Sequence, residues 1–149
     1  MNPEIKILLV EDNPQDAYMV LHALRQRQLD SHLLHLQDGA KALDWLFGTG
    51  GQPGSTLGGL PQVVLLDLKL PKVDGFEVLR AIRADQRTAL LPVVVMTSSA
   101  EERDMVASYK LGANSYIVKP MDFESFSAAV TKLGHYWLFV NHQPGHRQA

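Results

Sequence analysis

Five side chains suited to ion or phosphoryl chemistry stand directly after short apolar runs of this 149-residue chain. Glu11 and Asp12 follow ILLV, Asp67 follows VVLL, Thr97 follows VVVM and Lys119 follows YIV. If those runs are neighbouring parallel strands, all five residues share the carboxyl edge of one sheet, where open α/β folds bind their ligands. Three carboxylates gathered there repel one another by about 4 kcal/mol per close pair at an effective dielectric near 20, roughly 10 kcal/mol together, so a cation must offset them. The set holds no cysteine or histidine. Its ligands are all hard oxygens, which suit Mg2+ better than zinc or copper. Lys119 supplies a second positive charge. An aspartate flanked by Mg2+, an ammonium and a hydroxyl meets the needs of phosphoryl transfer, which rests on positioning and charge neutralisation. Asp67 is then the nucleophile, Glu11 and Asp12 hold the metal, and Lys119 and Thr97 each meet a phosphoryl oxygen.

The elements that must position these groups can be read from the same pattern. Ile5 to Val10, Leu33 to Leu36, Val63 to Leu66, Pro92 to Met96 and Tyr116 to Val118 read as strands. Several are continuously apolar, the habit of a parallel sheet covered on both faces. Between them, Asn13 and Pro14 open a first helix carrying Ala17, Val20, Leu21 and Leu24; Gly39 to Phe47 and Gly75 to Ala84 form two more. Ser99 with Glu102 has the spacing of a capping box for a fourth helix that Gly112 closes, and Asp122 caps a fifth. Five βα units predict an α/β domain with right-handed crossovers. The segment GTGGQPGSTLGG before the third strand is too rich in glycine and proline for regular structure and reads as a mobile loop. It is no phosphate-binding loop, because no Gly-Lys-Ser/Thr follows and it leads out of a helix.

Bulk properties bound the function. The length allows one core, and 14 Lys+Arg against 16 Asp+Glu give a net charge of -2 without a basic cluster, which argues against nucleic acid as a partner. There is no cysteine, and the first apolar run breaks into charge too early for a signal peptide or membrane span. A cytoplasmic protein without a membrane partner is the expectation.

The motifs VEDN at 10–13, LLDLKLPKVDG at 65–75, VMTSSA at 95–100 and GANSYIVKP at 112–120 together resemble the receiver domains of two-component response regulators. That resemblance implies a flavodoxin-like (βα)5 fold with strand order 2-1-3-4-5 and helices on both faces. It spans about residues 5–133 of a single domain covering 1–149, interrupted by the glycine-rich loop at 48–60. It implies that Glu11 and Asp12 are the acidic metal pair, Asp67 the phosphoacceptor, Thr97 the switch hydroxyl, Tyr116 the switch aromatic and Lys119 the site lysine. The backbone carbonyl of Lys69 would complete the Mg2+ shell, and the Lys119–Pro120 bond would be cis. A sensor histidine kinase is the implied partner. The glycine-rich insertion and a last helix running on through 134–149 resemble the stand-alone regulators of phytochrome-type kinases. The residues after Lys119 suffice for a helix and tail but not for a DNA-binding output domain, so the signal is expected to leave through the fourth helix, fifth strand and fifth helix, by homodimerisation or by docking on a separate protein.

Blander readings stand beside these. Thr97 could cap the fourth helix, although Ser99 is the better cap, and Tyr116 could be an edge aromatic. Tyr136 and Phe139 project from a different side of the last helix than Phe126, Leu133 and Trp137, so both stripes cannot face one sheet. Two coverings are open for the second stripe: packing by the first helix, or a dimer interface. An aspartate-nucleophile phosphatase also combines Asp, Mg2+, Lys and a hydroxyl. It needs a second acid two residues after the nucleophile, where this chain has Lys69.

Overall fold

The computed structural model describes residues 5–48, 59–119 and 122–143. The expected mobile loop falls mostly on 49–58, which lie outside the described residues. So do Pro120 and the bond before it, and the tail beyond 143.

Five strands, β1 (Ile7–Val10), β2 (Leu33–Leu36), β3 (Val63–Leu66), β4 (Val93–Thr97) and β5 (Ser115–Val118), form one parallel sheet in the order β2-β1-β3-β4-β5. Among the described residues, five α-helices alternate with them: α1 (Pro14–Gln26), α2 (Gly39–Phe47), α3 (Gly75–Ala84), α4 (Glu102–Lys110) and α5 (Phe123–His135). The expected fold and strand order are present.

Each central strand is buried along its whole length, and its alternate side chains enter two separate cores. Leu8, Val10, Val64, Leu66, Val93 and Val95 pack with Ala42, Leu46, Val78, Leu79 and Ile82 of α2 and α3. Ile7, Leu9, Val63, Leu65, Val94 and Met96 pack with Val20 and Leu24 of α1 and Phe126, Val130 and Leu133 of α5. This two-sided burial is why the runs are continuously apolar rather than alternating.

Local chemistry sets most helix starts. The Asn13 side chain accepts the N–H groups of Gln15 and Asp16, with Pro14 next to it, and Asp38, Asp74 and Asp122 cap α2, α3 and α5 in the same way. The capping box expected at Ser99 is not formed. The α4 N-cap is Glu101, whose side chain makes no capping bond; the Ser99 hydroxyl donates to Asp104 Oδ2 at 2.5 Å and accepts the Glu101 N–H at 3.3 Å rather than that of Glu102. Gly112 does close α4, at φ +100°, a conformation that glycine adopts without the cost of a Cβ. A Cβ there would also meet the Arg83 side chain, which donates to the carbonyls of Gly112, Ala89 and Leu91 and so ties α3 to the loops that lead into β4 and β5.

The last helix departs from a simple extension. α5 ends at His135 and the chain continues as one π-helical turn, Tyr136–Val140. Trp137 and Leu138 pack against the second core, whereas Tyr136, Phe139 and Val140 are exposed. The stripe is therefore not covered by α1. No helix among the described residues is long and apolar enough to cross a membrane.

Candidate functional site

β1 and β3 run in register, Val10 opposite Leu66, so the residues that follow them emerge side by side: Glu11 and Asp12 from one strand, Asp67 from the other. The Asp67 N–H donates to the Val10 carbonyl at 3.1 Å, and the Lys119 N–H donates to the Thr97 carbonyl at 2.8 Å. These backbone bonds carry the pairing of β1 with β3, and of β4 with β5, one step further at the carboxyl edge. Carboxylate oxygens of Glu11, Asp12 and Asp67 lie within 4.8 Å of one another. Glu11 and Asp67 are buried, and Asp12 is exposed at the mouth.

Lys119 reaches into this cluster from the end of β5. Its Nζ donates to Glu11 Oε1 at 2.6 Å, to Asp16 Oδ2 at 2.8 Å and to Asp67 Oδ2 at 3.0 Å. Burial by itself would lower the ammonium pKa, but the hydrogen bonds to Asp16 and Glu11 and the charge of Asp67 outweigh it, and the pKa ends raised. Lys119 is a permanent cation here. For Glu11 the balance falls the other way. Burial, aided by the charge of Asp67 and opposed by the Lys119 bond, pushes its carboxyl up to about 7. Its second oxygen accepts the Asn13 N–H at 3.1 Å, which fixes the side chain from its own loop.

The loop after β3 shapes the other wall. The Lys69 N–H donates to Asp67 Oδ1 at 3.3 Å, while the Lys69 side chain is exposed. Lys72 sits at φ +69° inside a γ-turn in which the Val73 N–H donates to the Pro71 carbonyl at 2.8 Å. That left-handed backbone is strained for a lysine and persists only where its surroundings enforce it. Gly75 is part of the enforcement: its N–H donates to the Leu68 carbonyl at 2.8 Å, and a Cβ at this position would collide with the Asp67 carbonyl.

Thr97, fully buried at the end of β4, accepts the Ser99 N–H at 3.4 Å. Tyr116 points under the same loop, and its hydroxyl donates to the Ser99 carbonyl at 2.9 Å. Burial raises the Tyr116 pKa, with the Ser99 bond opposing it. Tyr116 is thus packed against the first core and tied to the β4–α4 loop, unlike a free edge aromatic.

The donor set suits a small divalent cation: three carboxylates from adjacent strand ends, oxygen ligands only, and the deepest of them already paired with an ammonium. One participant escaped the reading of the sequence. Asp16 lies in the first turn of α1, where an acid commonly complements the helix dipole, and only the Lys119 contact reveals more.

The profile of the response regulator receiver domain matches residues 7–131. The chain belongs to this family. Among its relatives, response regulator Rcp1 of Synechocystis is 38% identical over 137 residues, covering 92% of this chain and 91% of its own. The crystal structure of the Mn2+-bound form of Rcp1 superposes with a TM-score of 0.84, covering 96% of this chain and all of the other. The phosphorylated cyanobacterial phytochrome response regulator RcpA does so at 0.85 and 34% identity, over 96% of this receiver and all of its own chain. The probable methanogenesis regulatory protein FilR2 of Methanothrix harundinacea is 42% identical over 93% of this chain and 87% of its own. The expected kinship with phytochrome-associated response regulators is therefore present in this receiver, which stands among signalling switches.

Proposed function

We propose that this receiver takes a phosphoryl group onto Asp67 from the phosphohistidine of a sensor histidine kinase, and that the modification alters the surface formed by α4, β5 and α5. The observation that carries the reading is the Lys119 ammonium bonded to both Asp67 and Glu11 inside a cluster of three carboxylates. An Asp67 carboxylate oxygen forms the new P–O bond as the P–N bond to the histidine breaks, and the histidine nitrogen keeps the bonding electron pair. Lys119 and the Thr97 hydroxyl accompany the phosphoryl oxygens as hydrogen-bond donors. Glu11, Asp12, Asp67 and the Lys69 carbonyl would hold Mg2+, which supplies the positive charge that lets one anion approach another.

Phosphorylation adds close to two negative charges beside Thr97 and Lys119. Drawing the Thr97 hydroxyl toward the new group costs its bond from the Ser99 N–H, and the β4–α4 loop that Tyr116 holds shifts with it. Tyr116 is the aromatic that reports this movement to α4 and β5. The phytochrome-type identity of the kinase rests on kinship with RcpA, and a homodimer is supported by exposed Tyr136, Phe139 and Val140 beside α5. Incubation with acetyl phosphate and Mg2+ should add one phosphate to the wild-type mass and none to Asp67→Asn. Equal labelling of both proteins, or of neither, refutes the assignment.

A further inference from the structure

An ammonium has three N–H donors. In Lys119 all three are occupied, by Glu11, Asp16 and Asp67. Two of these acceptors belong to the oxygen cluster suited to a cation, and Asp16 does not. Asp16 is also the most accessible of the three, its side chain 24% exposed against 3% for Glu11 and 9% for Asp67. Its contact with Lys119 spans 103 positions of sequence and is no accident of helix geometry. Its own N–H is held by Asn13 Oδ1 at 3.1 Å, so its carboxylate hangs from an anchored backbone.

A phosphoryl group arriving at Asp67 needs a Lys119 donor, and none is idle. One existing bond must yield. Glu11 is buried and held a second time by the Asn13 N–H, and Asp67 carries the incoming group itself. Asp16 alone can turn toward solvent without breaking the site.

We propose, on the basis of the phosphoacceptor reading above, that Asp16 is a positioning residue: it holds Lys119 in the unphosphorylated receiver and competes with the phosphoryl group for one of its three donors. Its charge opposes the modification twice, by occupying the ammonium and by repelling the anion. Neutralising it must therefore favour the modified form, whereas a role limited to holding the fold predicts no gain.

The test is equilibrium binding of beryllofluoride, a stable phosphoryl mimic, at saturating Mg2+, followed by calorimetry and fluorine NMR. Asp16→Asn is expected to bind roughly tenfold more tightly than wild type, the scale of one charge-assisted hydrogen bond. Asp16→Ser should tighten binding likewise, and Asp16→Glu, which restores the charge, should return it to the wild-type value. Mg2+ affinity without beryllofluoride should not rise in any variant, since Asp16 is outside the metal set. Unchanged or weaker beryllofluoride binding by both neutral variants, with wild-type circular dichroism, overturns the proposal alone. Wild-type protein that takes up no beryllofluoride overturns the phosphoacceptor reading and this proposal with it.

Discussion

β1 and β3 are buried at every residue, whereas β5, at the edge of the same sheet, has no fully buried position. The helices repeat the contrast. α1 buries Ala17, Val20, Ala23 and Leu24 and α5 buries Phe126, Val130 and Leu133, while α4 buries only Ser108 and exposes Val106 and Tyr109. The buried half carries Glu11 and Asp67, whose separation must be held closely if a cation is to bind. The lightly packed half carries Tyr116 and the helix next to it. Elements that move in signalling come from the low-stability end of a structure, because moving them sacrifices little burial. The three carboxylates thus lie on the well-packed β1–β3 side of β4 and the lightly packed α4 on the other, with Thr97 between them and Lys119 reaching back from β5.

Substitutions can test that contrast directly. Phe126→Ala, in the second core, should cost about 4 kcal/mol in urea unfolding; a loss below about 1 kcal/mol would mean the buried half is not the rigid one. Mg2+ at a hundredfold excess over its dissociation constant should stabilise the wild type by about 2.7 kcal/mol, and Asp12→Asn should forfeit most of that gain. Identical melting of wild type in Mg2+ and in EDTA would remove the metal from the account.

The pH dependence of the metal-free protein sharpens the same point. Glu11 has its folded pKa raised to about 7 from an ordinary 4.5, so the folded state binds its proton more tightly than the unfolded chain does. Stability contributed by this group is complete below pH 4.5 and is lost as pH rises through 7. Urea midpoints in EDTA for Glu11→Gln, compared with wild type across that window, should lack this decline. The smallest effect belongs to the other half: Val106→Ala on α4 should shift stability by about 0.5 kcal/mol or less. Amide exchange should be faster along α4 than along α1, and equal protection of the two helices would break the comparison.

Much of this was legible in the residues. The runs that became β2 and β3 were read with their observed ends, as were α2 and α3, because continuous apolar stretches and helical periodicity are local signals. The ends of α4 and α5 were less so. Ser99 has the type and spacing of a cap but spends its hydroxyl on Asp104, and nothing in the periodicity of residues 134–140 separates an α-helix from the π turn that displays Tyr136 and Phe139. Asp16 was invisible for a related reason: in the first turn of a helix an acid already has an ordinary explanation.

The order of apolar runs, and the acids, hydroxyl and lysine placed after them, belong to the chain itself. Alternation and periodicity follow from backbone geometry, and they decide which residues reach the carboxyl edge of the sheet. Which of those residues touch was decided only by tertiary structure. Lys119 finds partners 52, 103 and 108 positions away, and three acceptors around one ammonium depend on how α1, β1 and β3 pack. A hydrogen bond reaches about 3 Å, and no local pattern in a sequence sets distances on that scale between segments so far apart.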